Sequence, residues 1–188
     1  MRLVEPSATL LSITPNAAQL IERAGRVCYK SENKITDKSA DKFIQNLKHR
    51  HHMSVLEHAS ATFHLVTERG TTHELVRHRL ASYSQESTRY CAYKDDVTFI
   101  RPLNHLFEDA YKHAEIYYHT LLRQGIPAQE ARAVLPIGLK TEIVVTANFR
   151  EWMHIFDLRI NDKAHPNIRH LMIKVQEILQ QECPEVFS

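Results

Sequence analysis

Between Arg77 and Tyr90 the chain reads Arg77-His78-Arg79-Leu80-Ala81-Ser82-Tyr83-Ser84-Gln85-Glu86-Ser87-Thr88-Arg89-Tyr90. Three basic side chains are followed by hydroxyls and amides and then by Ser87-Thr88-Arg89, with no glycine or proline to loosen the stretch. Guanidinium groups among hydroxyls at this density are the donors an anionic ligand takes. Thr71 or Thr72 is predicted to cap a short helix running into Arg79. Successive helical residues turn by roughly 100°, so Arg77, His78 and Arg79 would fan over roughly 200°. They cannot then grip one phosphate: they serve different ligands, or one reaches across a subunit boundary. A solvated basic helix end, favoured by the macrodipole, is the plainer alternative. If the next segment is extended, Ser87 and Arg89 share a face with Gln85 and Tyr83, because strand side chains alternate. That face suits a phosphate monoester with a polar ring; an edge strand with a polar solvent face is the alternative.

A second cation stands out for its surroundings. Trp152, Ile155 and Phe156 make an apolar stripe at helical spacing, and Arg159 continues it one turn further. An arginine on a core-facing stripe must be paired or must face a ligand. Asp157 and Asp162 are the nearby partners for a structural ion pair. Arg150 and His154, four apart, share another side of the same helix. Metal chemistry finds less support. His73 and His78 are five apart, whereas the zinc-protease motif needs a spacing of four to bring two histidines to one helix face. His49, His51 and His52 cluster, yet no cysteine or acidic residue has metal-ligand spacing with them. The reading is therefore no metal. Cys91 follows the polar run without the motif of a cysteine nucleophile and is expected to be buried and structural.

The elements that must position these groups are read from periodicity. Leu3 to Ile13 predicts a strand ended by Pro15, and Asn16 to Tyr29 a helix with Leu20, Ile21, Ala24, Val27 and Cys28 on one face. Asp37 is expected to cap a helix carrying Ala40, Phe43, Ile44 and Leu47. The alternation Ala59, Ala61, Phe63, Leu65 marks a strand from Ala59 to Thr67. Leu106 to Leu122 predicts a helix with Phe107, Ala110, Tyr111, Ala114, Tyr117, Tyr118 and Leu121 in register, closed by Gly125. Pro127 opens another through Ala133. Thr141 to Ala147 reads as a strand and Glu151 to Leu158 as a helix. Pro166 starts a last helix with Ile168, Leu171, Met172, Val175, Ile178 and Leu179 in a stripe. Few strands among many helices predict an α+β fold in one domain, residues 1–188, long enough to bury a sizeable core.

Composition narrows the function. An apolar content of 43% with 24% charged residues is that of a globular chain. The net charge of +2 is too small to argue for nucleic acid. A single-stranded RNA-binding module, with Tyr83 and Tyr90 as stacking platforms, is the reading from another class. Only 4 glycines occur and none of the glycine-rich phosphate loops, so a phosphate must be held by side chains and helix ends. Cys28, Cys91 and Cys183, widely spaced, read as thiols of a cytoplasmic protein. No stretch has the length of a membrane span or the h-region of a signal peptide.

Together these residues resemble one family. Arg77-His78-Arg79, seven intervening residues and Ser87-Thr88-Arg89 look like the R-H-R-x7-S-x-R signature of the flavin-dependent thymidylate synthases. His52-Met53-Ser54-Val55-Leu56-Glu57-His58 resembles the family's H-x-[ST]-x-x-E-H segment, and Ala131-Arg132-Ala133-Val134-Leu135-Pro136 its A-R-x-x-L-P element. Asn148-Phe149-Arg150, with His154 and Leu158-Arg159, is similar to its N-x-R…[HN]…L-R element, and the matches begin at Arg26-Val27-Cys28-Tyr29. The resemblance implies an α/β fold with a sheet flanked by helices, and a homotetramer with sites at subunit interfaces. It also implies reductive methylation of dUMP to dTMP, with 5,10-methylenetetrahydrofolate as one-carbon donor and NADPH as reductant through bound FAD. By the same resemblance Arg77, Gln85, Glu86, Ser87, Thr88, Arg89 and Arg132 form the dUMP set. Ser54, His78, Arg79, Asn148, Phe149, Arg150 and His154 form the FAD set, with Arg77 and Gln85 shared by both. Arg159 matches the arginine that contacts uracil and favours ionisation at its N3, which gives a cation on a core-facing stripe a task. No cysteine nucleophile is implied.

Two positions depart from the family pattern. Glu74 stands where many members carry Gln, and joins the dUMP set only if Arg77, three residues on, neutralises it. Ala164-His165-Pro166-Asn167 replaces an Ala-Gln-x-Glu of other members, close enough after Arg159 to alter folate or flavin access. A relative that keeps both pockets but alkylates a pyrimidine differently is the alternative within this class.

Overall fold

Proline divides the first strand. The computed structural model describes residues 1–188, and the segment expected as one strand is two: β1 (Arg2–Val4) and β2 (Ser7–Ile13). Pro6 lies between them with no N–H to give a ladder, and the two strands enter different sheets. There follow α1 (Ala17–Val27), α2 (Ser39–His49), a 3-10 turn over Met53–His58 and β3 (Ser60–Glu68). Next come α3 (Arg69–Leu75), β4 (Ala81–Gln85), the short β5 (Thr98–Ile100) and the long α4 (Phe107–Arg123). The chain finishes with α5 (Ala128–Ala131), a 3-10 turn over Arg132–Val134, β6 (Lys140–Asn148), α6 (Phe149–Arg159), α7 (Pro166–Glu182) and α8 (Pro184–Phe187).

The strands β2, β3, β6 and β4 make, in that order, an antiparallel sheet, so helix and sheet combine in the expected α+β manner. β3 and β6 pair along their whole length, from Ser60 opposite Asn148 to Glu68 opposite Lys140. Alternation decides which face becomes core. Ala61, Phe63 and Leu65 of β3 and Ile143, Val145 and Ala147 of β6 are buried, and the apolar stripes of α1, α2, α6 and α7 pack there. The other face carries Thr62, His64, Glu142 and Thr146, half-buried and joined by a Thr62–Thr146 hydroxyl bond of 2.9 Å and a His64–Glu142 bond of 2.8 Å. A smaller core joins the parallel β1–β5 pair to α4, where the Phe99 ring stacks on Tyr111 at 4.6 Å.

Several helix faces differ from those the periodicity predicts. On α1 Ile21 is buried as predicted, but with Ala17, Ala18, Glu22 and Gly25, while Leu20, Val27 and Cys28 face outward. The Phe43 ring lies where a Cβ on Gly25 would sit, so the close approach of α2 chooses the buried side. On α4 only Tyr111 and Tyr118, two turns apart, are buried; Phe107, Ala110 and Tyr117 are exposed because a small core lies beneath them. Asp37 does not cap α2, which begins at Ser39. The last helix keeps its predicted stripe, and Gly125 ends α4 with φ of 83°, as expected.

Candidate active site

Asn148 is the last residue of β6 and also the N-cap of α6. Its Oδ1 accepts from the backbone N–H of Glu151 at 2.8 Å, satisfying a donor that the first helical turn leaves open. The cap starts α6 at Phe149, two residues ahead of the predicted helix. Trp152, Ile155 and Phe156 turn into the core, and the adjoining side, Arg150, His154 and Leu158 at a spacing of four, lines a cleft. The facing wall is the chain just after α3. That helix ends at Leu75, so Arg77, His78 and Arg79 lie in a turn and not on a helix. The turn still separates them: His78 is buried, while Arg77 and Arg79 are exposed at the cleft.

Arg159 closes the inner end. Its Nη1 donates to Oε2 of Glu74 at 2.9 Å, its Nη2 to the Glu74 carbonyl at 3.1 Å, and its Nε to Nε2 of His78 at 3.0 Å. The ion-pair partner is therefore neither Asp157 nor Asp162; Asp162 pairs with Arg169 at 2.7 Å. Glu74 is neutralised by Arg159 and not by Arg77, because the Glu74 side chain points back towards α6. A guanidinium has five N–H bonds and only donates. Three are committed, so two remain for a ligand. Since Arg159 Nε–H must give its proton, His78 Nε2 presents a lone pair, and the one imidazole proton lies on Nδ1.

The His78 imidazole is held neutral. Burial, reinforced by the charges of Arg159, His154 and Arg77, pushes its pKa down to about 4. In the unfolded chain an ordinary histidine takes up its proton near 6.5. Between those values the unfolded state binds more protons, so His78 withdraws stability as pH falls from 6.5 towards 4 and withdraws none above 6.5. Urea midpoints at pH 7 and pH 5 will differ more in the parent protein than in His78→Gln; equal differences would show that His78 does not titrate in this window.

The residues after β4 form a separate group. β4 stops at Gln85, and Ser87 to Tyr90 is a turn, with Tyr90 N–H and Cys91 N–H donating to the Ser87 carbonyl. Ser87 and Arg89 therefore do not share a strand face with Tyr83 and Gln85. Gln85 points inward, donating to Oγ1 of Thr72 at 2.9 Å and of Thr141 at 3.2 Å. Tyr83 also turns inward, its hydroxyl shared between the carbonyls of His78 and Leu75, and so it is no stacking platform beside exposed Tyr90. Thr88 Oγ1 accepts from Arg132 at 2.9 Å, and Arg89 reaches Gln129 at 3.4 Å. The Glu86 carboxylate is taken by the Tyr93 hydroxyl at 2.9 Å and by Lys140 at 3.4 Å, which commits it within the chain. Cys91 is exposed and not buried as expected, because the turn that ends at it runs along the surface. Within one chain this group and the Arg77–Arg79 turn lie at opposite ends of β4.

The cleft occupies ≈ 670 Å³. Arg77, Arg79, Arg150 and Arg159 line it against two carboxylates, Glu57 and Glu151, so it carries an excess of positive charge. Arg150 also borders a second cleft of ≈ 390 Å³ lined by Tyr29, His51, His52, Met53 and Ser54. The two clefts share Arg150; the first is cationic and the second is half apolar. The guanidinium donors of the first cleft and the half-apolar lining of the second are chemically suited to the phosphates and rings of a flavin nucleotide. Of the residues expected at FAD, Arg77, His78, Arg79, Asn148, Arg150 and His154 meet in the first cleft and Ser54 in the second. Phe149 does not join them: fully buried, it packs edge-on against Phe187 at 4.9 Å. Glu57, Glu151, Leu80 and Leu158 line the cleft as well, beyond the residues the sequence points to. Glu57 sits in a recognised segment and pairs with Arg150 at 2.6 Å; nothing local in the sequence marks Glu151.

Fold and cleft together define an α+β protein with a cationic cleft whose donors suit an anionic ligand. Residues 9–185 match the family model described as thymidylate synthase complementing protein, and the chain belongs to that family. Among its relatives, a Geobacter sulfurreducens protein named flavin-dependent thymidylate synthase is 35% identical over 194 residues, 95% of this chain and 84% of that protein. A Mycobacterium tuberculosis protein of the same name is 35% identical over 211 residues, 99% of this chain and 84% of that protein. A crystal structure described as a UMP/dUMP methylase PolB from Streptomyces cacaoi, bound with 5-Br dUMP, superposes with a TM-score of 0.84. It covers 100% of this chain and 95% of the other at 24% identity, and so supports the fold.

Proposed function

We propose that this chain is a flavin-dependent thymidylate synthase, an enzyme that methylates dUMP to dTMP with 5,10-methylenetetrahydrofolate and NADPH. The observation that carries this reading is a half-buried Arg159 with two N–H bonds left over at the end of a cationic cleft, in a chain of this family. When bound, FAD supplies the redox chemistry that the side chains lack. Arg77, Arg79, Arg150, His154, Asn148 and Ser54 hold it by charge and hydrogen bonds. Arg159 donates to the uracil and stabilises negative charge as N3 ionises. Ser87, Thr88, Arg89 and Arg132 hold the dUMP phosphate, with Arg77 between the two ligands; Gln85, expected beside it, commits its amide N–H groups to Thr72 and Thr141. Glu74 acts on dUMP only through Arg159.

A homotetramer with sites at subunit interfaces accounts for the separation of the two groups. Five residues of β4 at roughly 3.4 Å each keep them apart in one chain, so a second subunit brings one group to the other. Exposed Leu103, Leu106, Phe107 and Tyr117 supply apolar surface for such contacts. The chain acts as one domain over residues 1–188. No helix is long and apolar enough to cross a membrane. Three thiols, two of them exposed, suit a reducing cytoplasm.

Anaerobic dTMP formation from dUMP, methylenetetrahydrofolate, NADPH and added FAD, with each component omitted in turn, tests this reading. Product is expected only when all four are present. A flavin spectrum that shifts on adding dUMP, without any dTMP, would assign the pockets to a different pyrimidine alkylation.

A further inference from the structure

We propose that Glu151 is a positioning residue for Arg159 and acts through His78. The inference rests on the activity proposed above, and it begins with a proton. Because Arg159 Nε–H donates to His78 Nε2, the ring must keep its hydrogen on Nδ1. Oε1 of Glu151 lies 3.7 Å from that Nδ1. This is longer than a direct hydrogen bond, yet a carboxylate there favours the tautomer with N–H pointing towards it and disfavours the other, which points a lone pair at it.

Both groups are fixed. Glu151 is 5% exposed and His78 is 5% exposed. The first turn of α6, closed by the Asn148 cap, holds Glu151. The Tyr83 hydroxyl donates to the His78 carbonyl at 2.8 Å and sets its backbone. The ring therefore has a carboxylate on one side and a guanidinium on the other. Without Glu151 the proton can move to Nε2, where it would meet the Arg159 N–H head-on. Arg159 would lose one of three anchors and its remaining N–H bonds would lose their aim. Glu151 need not touch a substrate, and its place in the first helical turn is one where negative charge is favoured.

Glu151→Leu removes the acceptor and the charge, Glu151→Ser removes the carboxylate with little bulk, and Glu151→Gln keeps an acceptor. The measurements are kcat and KM for dUMP, bound flavin, and the His78 ring 15N shifts, assigned by comparison with His78→Gln. In Glu151→Leu we expect kcat to fall about ten- to a hundredfold at unchanged flavin content. The His78 signals will move from one tautomer to a mixture, and Glu151→Gln will recover most of both effects. If Glu151→Leu does not fold, Glu151→Ser carries the same expectation. An unchanged His78 tautomer overturns the proposal, whatever happens to kcat; so does an unchanged kcat. Should the parent protein make no dTMP, the activity reading fails, while the His78 signals still decide the role of Glu151.

Discussion

Arg159→Ala will retain bound FAD and lose most dTMP formation, on the order of 10²–10³-fold in kcat, the usual cost of removing one donor aimed at developing charge. The guanidinium is anchored by the Glu74 carboxylate, the Glu74 carbonyl and His78 Nε2, and its geometry fixes where the remaining N–H bonds point. Arg159→Lys should recover little, since three donors on a tetrahedral ammonium cannot meet those acceptors and also a ligand. Flavin is expected to stay because Arg77, Arg79 and Arg150 still line the cleft. Flavin absorbance of the purified variant, beside single-turnover dTMP yield, separates the two effects. Normal turnover in Arg159→Ala would remove this residue from the chemistry. Loss of flavin together with activity would instead place Arg159 in cofactor binding.

Trp152→Ala will destabilise the protein by about 3–5 kcal/mol, the range for deleting a large aromatic from a core. Trp152 is fully buried, packs edge-on to Phe63 with centroids 5.3 Å apart, stacks on Phe156, and donates from Nε1 to the Ala61 carbonyl at 3.1 Å. It therefore ties α6 to β3 by packing and by a buried hydrogen bond. Because Arg150, His154 and Arg159 ride on α6, flavin content should fall along with stability. Trp152→Phe keeps one aromatic ring in the core but loses the Nε1 bond and part of the packing, with a smaller cost. Urea unfolding of the flavin-free protein measures both variants, and a loss under about 1 kcal/mol for alanine would show that α6 is held by other contacts.

Much of this was open to reading from the chain alone. β6 was legible as a strand from the β-branched run Thr141 to Ala147, and only its pairing with β3 set which of Ile143, Val144 and Val145 face the core. β3 buries one face, so Ala61, Phe63 and Leu65 declare themselves by alternation. The stripe of α7 does the same at helical spacing, and the spacing of Arg77-His78-Arg79 and Ser87-Thr88-Arg89 carried the family. These features are local, set by the repeat of one element or by residues few positions apart.

What the tertiary structure alone decided is of another kind. The apolar residues on α1 and α4 lie around more than one side, and their buried face depended on Phe43 against Gly25 and on how small a core lies under α4. Arg159 finds its partner 85 residues earlier, a choice made by the fold bringing the last turn of α3 within reach of the last turn of α6 and not by the nearer Asp157 or Asp162. Glu151 gained its place beside His78 in the same way. Ending β4 at Gln85 put the second set of arginines and hydroxyls at the far end of the strand from the cleft. A side chain's type and rhythm say what it can do, because both follow from backbone geometry within a few residues. Which group it meets depends on contacts between elements distant in sequence, and no period along the chain encodes those.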